Sequence, residues 1–198
     1  MTAAPDAPGD AAARRRSLIA AISCASLSGA GFGLLMPLVS LNLEAMTGSG
    51  AMVGANAAAA ALSTLLAAPF IPALLGLVPF RTATVAACLI VAGGMLLFPL
   101  LPDPYVWLLL RLALGMAVTV VFVVSETWIN QLARPESRAT LLAVYATALS
   151  AGFGSGGLVL SLVGSDGFAP WLACAGLYAI GVIPILVLRG PGLTASPK

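Results

Sequence analysis

Arg111 and Glu126 are the residues of this chain whose types could most readily do chemistry, because they are the charged side chains that fall inside its long apolar runs. An arginine at the centre of a bilayer costs roughly 2.5–3.5 kcal/mol on insertion scales and is usually retained for function. At 1.5 Å per residue Arg111 lies ~8 Å from the outer end of its run, which leaves two readings open: a cavity or relay group, and an anchor that snorkels to the headgroups. On a helix, Gly115, Thr119 and Phe122 share a broad face with Arg111, and Glu126 sits roughly 60° further round. Such a face belongs on a cavity rather than against lipid. Glu126 lies in the stretch SETWIN, Ser125 to Asn130, with Arg81, Arg134 and Arg138 as its nearest partners. It reads equally as a solvated interfacial acid and as one member of a gating ion pair, with Trp128 expected at the interface. Asn56 and Tyr145 are the larger polar side chains in the other runs and are candidates for lining a substrate path. Ser63, Thr64, Thr147 and Ser150 can return a hydrogen bond to their own helix and individually say little.

Other chemistry finds no support. The chain has no histidine, which removes a Ser-His or Cys-His dyad and the commonest metal ligand. Cys24, Cys88 and Cys174 each sit inside an apolar run, and an odd number so placed reads as small packing residues rather than disulfides or a metal site. No metal, cofactor or enzymatic activity is expected. Gly152 to Gly157 reads GFGSGG, but no strand precedes it and no Lys-Ser or Lys-Thr follows, so it is not a phosphate loop. Gly152 and Gly156 form instead a G-x-x-x-G pair that lets another helix approach closely, and Gly157 extends the small-residue stretch. Gly29, Gly33 and Pro37, with Pro69 and Pro72, likewise point to close contacts and bent helices.

The elements that must position these residues follow from composition. Of 198 residues, 60% are hydrophobic and 8% charged, too few charges to cover a water-soluble surface, so lipid is the outer solvent. A net charge of +2, scattered along the chain, gives no basic stripe for nucleic acid. Crossing ~30 Å of hydrocarbon takes about 20 apolar residues. Six runs qualify: Leu18–Leu41, Ala51–Leu75, Thr82–Leu101, Val106–Ile129, Thr140–Val163 and Ala169–Leu188. Arg14, Arg15, Arg16, Arg81, Arg134, Arg138, Arg189 and Lys198 fall on one side, while the opposite loops carry Glu44, Asp103 and Asp166, which predicts both termini in the cytoplasm. Residues 1–16 read as a disordered cytoplasmic tail whose arginines anchor the topology, and residues 191–198 as a second tail or the start of a loop. A cleaved signal peptide is the rival reading of Arg14–Leu41, disfavoured by the run's length and the five spans after it. Setting the first three spans against residues 85 positions later aligns the boundaries and places Pro99 on Pro184, Ser40 on Ser125 and Val78 on Val163. Three spans per unit means two units of opposite orientation, the inverted-repeat plan of many secondary transporters.

Over residues 17–190 the pattern resembles the major facilitator superfamily, amino-terminal half. Arg111-Leu-Ala-Leu-Gly115 is similar to the family's fourth-helix motif, an Arg followed four residues later by Gly. YATALSAGFGSGG, Tyr145 to Gly157, resembles the fifth-helix glycine motif of antiporter-type exporters, without the usual Pro at Gly157. Gly76 to Arg81 occupies the place of the charged loop between helices two and three and keeps only Arg81. The resemblance implies an all-α membrane protein of two inverted three-helix repeats, half of a twelve-helix fold. It implies a secondary transporter, a permease or efflux protein, moving a small molecule across a bacterial inner membrane by alternating access. It also implies that Arg81 and Glu126 pair, and that this bundle needs a second six-helix half or a homodimer partner. A non-transporting assembly partner or remnant half-transporter is the alternative. A channel would need a selectivity element, and none is present.

Overall fold

The computed structural model describes residues 8–188, and within them the chain is helical with no strand. Helix α1 spans Pro8–Thr47. It is followed by α2 (Gly50–Leu77), α3 (Phe80–Leu100), α4 (Pro104–Leu132), α5 (Arg138–Val163) and α6 (Ala169–Val187), and all six are long and apolar enough to cross a membrane. The chain is a multi-pass membrane protein. The helix ends fall within three residues of the expected spans except in α1, which runs on to Thr47 and also starts earlier. Pro8 to Arg16, expected within a disordered tail, is instead helical. Proline at the first position presets φ, and the alanines and arginines that follow favour helix. Residues 1–7, and Arg189 and Lys198 with the rest of the carboxyl-terminal tail, lie outside the described residues.

Local chemistry fixes the breaks between helices. Gly48 takes φ of 60°, which ends α1 in the left-handed region that glycine adopts without penalty. Ser49 then caps α2 through the Met52 amide. Asp103 caps α4 by accepting from the Tyr105 and Val106 amides, both at 2.9 Å, with Pro104 first in the helix. A 3₁₀ turn over Ala68–Phe70 bends α2 where Pro69 and Pro72 remove amide donors. Pro102 cannot donate to the Phe98 carbonyl at the end of α3. Trp107 Nε1 donates there instead, at 3.0 Å, and to the Leu101 carbonyl at 2.8 Å.

The packing is two-fold in pattern. α1 packs on α5, α6 and α4, and α4 packs on α2, α3 and α1, with α3 against α6. Exchanging α1 with α4, α2 with α5 and α3 with α6 leaves this network unchanged, as two inverted three-helix repeats require. The outer helices α2 and α5 are each held by a narrow seam. Asn56, Ser63 and Ala67 are buried on α2, and Tyr145, Gly152 and Gly156 on α5, at the same spacing of seven and then four residues. The register is visible at the glycines: a Cβ on Gly29 would meet Leu149, and one on Gly115 would meet Ser63. Gly115 follows Gly29, and Leu149 follows Ser63, by the same 86 residues, one more than the offset read from the sequence. At one end an aromatic cluster closes the bundle, with Phe98 stacked on Trp171 at 5.0 Å and Trp107 edge-on to both.

Candidate functional site

Arg111 turns inward. Its side chain is 3% exposed although it lies one to two turns from the start of α4. One guanidinium nitrogen donates to the Met36 thioether at 2.9 Å, and the guanidinium carbon stands 5.5 Å from the centre of the Phe32 ring. Both partners belong to α1. A thioether is a weak acceptor, and a ring face contributes only ~0.5–2 kcal/mol. Nε of Arg111 has no acceptor, and among the described residues no carboxylate lies within salt-bridge distance. A desolvated cation is thus held by soft, neutral groups. That arrangement is costly in hydrocarbon, since burying a charge without a counter-charge ordinarily needs several kcal/mol of compensation.

Beside the guanidinium lies a cavity of ≈ 240 Å³, walled by α1 to α5. Gly115 and Thr119 line it with Arg111, as their shared helical face suggested. Thr119 Oγ1 donates to the Gly115 carbonyl at 2.8 Å and stands 3.1 Å from Thr64 Oγ1, also on the wall. Phe32, Phe122 and Phe153, which also line the cavity, form a three-ring cluster with centroids 5.7–6.1 Å apart. The cavity therefore pairs one cation and two hydroxyls with an aromatic wall. It can hold a small apolar body and fix one polar end of it.

The other candidate residues lie elsewhere. Asn56 is buried but donates to the Trp107 carbonyl at 3.4 Å, tying α2 to α4 outside the cavity. Tyr145 packs with Ala21 and Ala25 in the interface of α5 with α1. Gly152 and Gly156 sit against the α1 backbone, where a Cβ would overlap the carbonyls of Ser26 and Ala30. Gly157 meets nothing and is no part of that seam. Arg81 and Glu126 are not brought together. Arg81 donates to the Ile185 carbonyl in the last turn of α6, because α3 packs on α6 and a helix carboxyl terminus attracts a cation. Glu126 is exposed, and among the described residues it forms no ion pair with Arg81. Trp128 is 2% exposed, buried with Ala21, Ala25 and Ile129 where α4 crosses α1.

Sequence reasoning missed Phe32, Met36 and Phe153, since apolar residues in an apolar helix give no signal of which face meets a cation. It also missed a thiol pair. Cys24 Sγ and Cys88 Sγ lie 3.8 Å apart across α1 and α3, fully buried, with Ser28 Oγ 3.9 Å from Cys88. Cys174 donates to the Gly31 carbonyl at 3.3 Å. All three cysteines are free and act here as small polar packing groups.

Comparison with known proteins agrees with this architecture. The profile of the Major Facilitator Superfamily matches residues 21–198. A curated relative from Bacillus subtilis (strain 168), the "Uncharacterized MFS-type transporter YfkF", is 30% identical over 156 residues, which cover 78% of this chain and 40% of the relative. The chain thus spans less than half the length of that protein. No solved structure matches the chain. Six apolar helices in a two-fold network, an Arg-x-x-x-Gly pair on the fourth and the profile match over most of the chain lead to one assignment: the chain belongs to the Major Facilitator Superfamily.

Proposed function

We propose that this bundle is one half of a secondary transporter that moves a small molecule across a bacterial inner membrane by alternating access, with both termini cytoplasmic. The observation that carries the reading is the cavity at Arg111, where a cation more than nine-tenths buried has no counter-charge among the described residues and lines a space of ≈ 240 Å³. Gly115 and Thr119 complete its polar side. Asn56 and Tyr145 serve as seam residues rather than substrate contacts in this reading. Alternating access needs a site between two bodies that move against each other, and inverted repeats place it near the midplane. The partner is a second six-helix half or a second copy of this chain.

The test begins with a thermal-stabilisation screen of small molecules against purified protein. Flux of the hits is then measured in proteoliposomes whose stoichiometry is counted by single-molecule photobleaching. Vesicles holding paired bundles should transport, vesicles holding one chain should not, and Arg111→Met should abolish flux while insertion stays normal. Robust flux from single chains would sink the paired-bundle reading. Undiminished flux in Arg111→Met would reduce Arg111 to an anchor.

A further inference from the structure

We infer that the ligand of the Arg111 cavity is a small apolar monoanion with a single aromatic ring, an aryl carboxylate in chemical type. This rests on the cavity being the substrate site proposed above. The charge is argued from what Arg111 lacks. Arg111 is 3% exposed, its guanidinium meets the Met36 thioether and the Phe32 ring, its Nε has no acceptor, and no carboxylate lies within ion-pair distance among the described residues. A buried cation needs a counter-charge, and Arg111 lines the cavity. A guanidinium presents a planar fork of donors that matches a carboxylate, so a carboxylate suits it better than a spherical anion.

The body of the ligand is argued from the remaining walls. Phe32, Phe122 and Phe153 are each half-buried and turned toward one another at interplanar angles of 57° to 86°, which leaves ring faces and edges for a further ring. Thr64 and Thr119 are the further polar groups on the wall, and their hydroxyls already engage each other at 3.1 Å. A polyhydroxylated or multiply charged ligand would leave its own polar groups unpaired here. Size completes the selection. A dry cavity of about 150 Å³ accepts benzene, so ≈ 240 Å³ accommodates one ring with a carboxylate, and an acyl chain of lipid length does not fit.

Binding of benzoate, benzamide and benzylammonium to the purified chain in nanodiscs tests the inference, read by saturation-transfer NMR and titration at neutral pH. Benzoate should bind about tenfold or more tightly than either of the other two, because a charge-assisted pair is worth at least one decade. Arg111→Met should weaken benzoate by a similar factor and leave benzamide unchanged, and Arg111→Lys should fall between them. The Lys variant guards against misfolding, and thermal unfolding of each protein is followed alongside. Equal binding of benzamide or benzylammonium, or benzoate binding that survives Arg111→Met, would overturn the anion assignment and leave small-molecule transport standing. Displacement of benzoate by equimolar acetate would overturn the aromatic part. Absence of saturable binding by all three probes would also overturn the inference. The transport reading fails separately, by loss of any Arg111-dependent flux in the proteoliposome assay.

Discussion

The seam between α1 and α5 makes the sharpest demand on stability, and it can be tested with four single methyl groups. A Cβ placed on Gly152 would overlap the Ser26 carbonyl, and one on Gly156 would overlap the Ala30 carbonyl and the Leu34 amide, well inside the 3.0 Å that real Cβ contacts do not cross. Both obstacles are backbone and cannot rotate away. The helices must therefore part, and parting stretches the bond from Ser26 Oγ to the Ala148 carbonyl, now 2.8 Å. Overpacking of this kind costs ~1–3 kcal/mol, and an interhelical hydrogen bond in a membrane protein is worth about 0.6 kcal/mol more. At 1.4 kcal/mol per decade the sum shifts the unfolding equilibrium of Gly152→Ala or Gly156→Ala by roughly one to two and a half decades. Gly154 and Gly157, on the same helix, meet nothing within 4 Å. Gly154→Ala and Gly157→Ala should be neutral or stabilise by up to about 1 kcal/mol through helix propensity. Unfolding by denaturing detergent in mixed micelles, followed by circular dichroism, separates the two pairs. If Gly152→Ala proves as benign as Gly157→Ala, the backbone-on-backbone seam is wrong.

Two further outcomes follow from the charges. Arg81→Gln removes a cation from the last turn of α6 and should cost ~0.3–1 kcal/mol in the same unfolding assay, and the double reversal Arg81→Glu with Glu126→Arg should restore nothing beyond the worse single variant. Mutual rescue would show that the two side chains pair after all. The proposed orientation is checked by Arg14→Cys and Asp166→Cys in a background lacking Cys24, Cys88 and Cys174. An impermeant maleimide applied outside the cell should spare position 14 and label position 166, and the reverse pattern would invert the topology.

The spans were legible because lipid imposes a length and a composition that a single sequence displays directly. Arg111 was legible for the same reason in reverse, since a charge in an apolar run stands out, and its helical face gave Gly115 and Thr119 with it. Gly152 and Gly156 were legible from their spacing. Gly157 was not separable from Gly156 by sequence, because which glycine faces α1 depends on the crossing geometry. The Arg81 contact was hidden because its acceptor is a backbone carbonyl, which carries no signature in sequence, and the family resemblance pointed to Glu126 instead. The burial of Trp128 was hidden in the same way, since sequence does not show that α1 packs over it. Pattern along one helix is readable, and the register between two helices is decided by packing.

That register shows how the residues around Arg111 differ from those at the related place in the bundle. Under the 86-residue offset that relates Gly29 to Gly115, Arg111 corresponds to Ala25 and Thr119 to Gly33. α1 thus carries Ala, Gly and Gly where α4 carries Arg, Gly and Thr. On α1 the small residues let α5 close backbone to backbone, with Gly33 against the Phe153 carbonyl, and Ala25 is fully buried in a packed cluster. On α4 the same positions hold a guanidinium and a hydroxyl, and Thr119 meets Thr64 of α2 through side chains at 3.1 Å rather than through backbone. The second seam meets through side chains at Ser63 and Thr64, and the cavity lies beside it. An alanine serves this position in one repeat, so the fold does not require an arginine in the other. The cost of burying that cation supports the proposed role in ligand recognition, the pattern expected where a local rule is broken at a functional site.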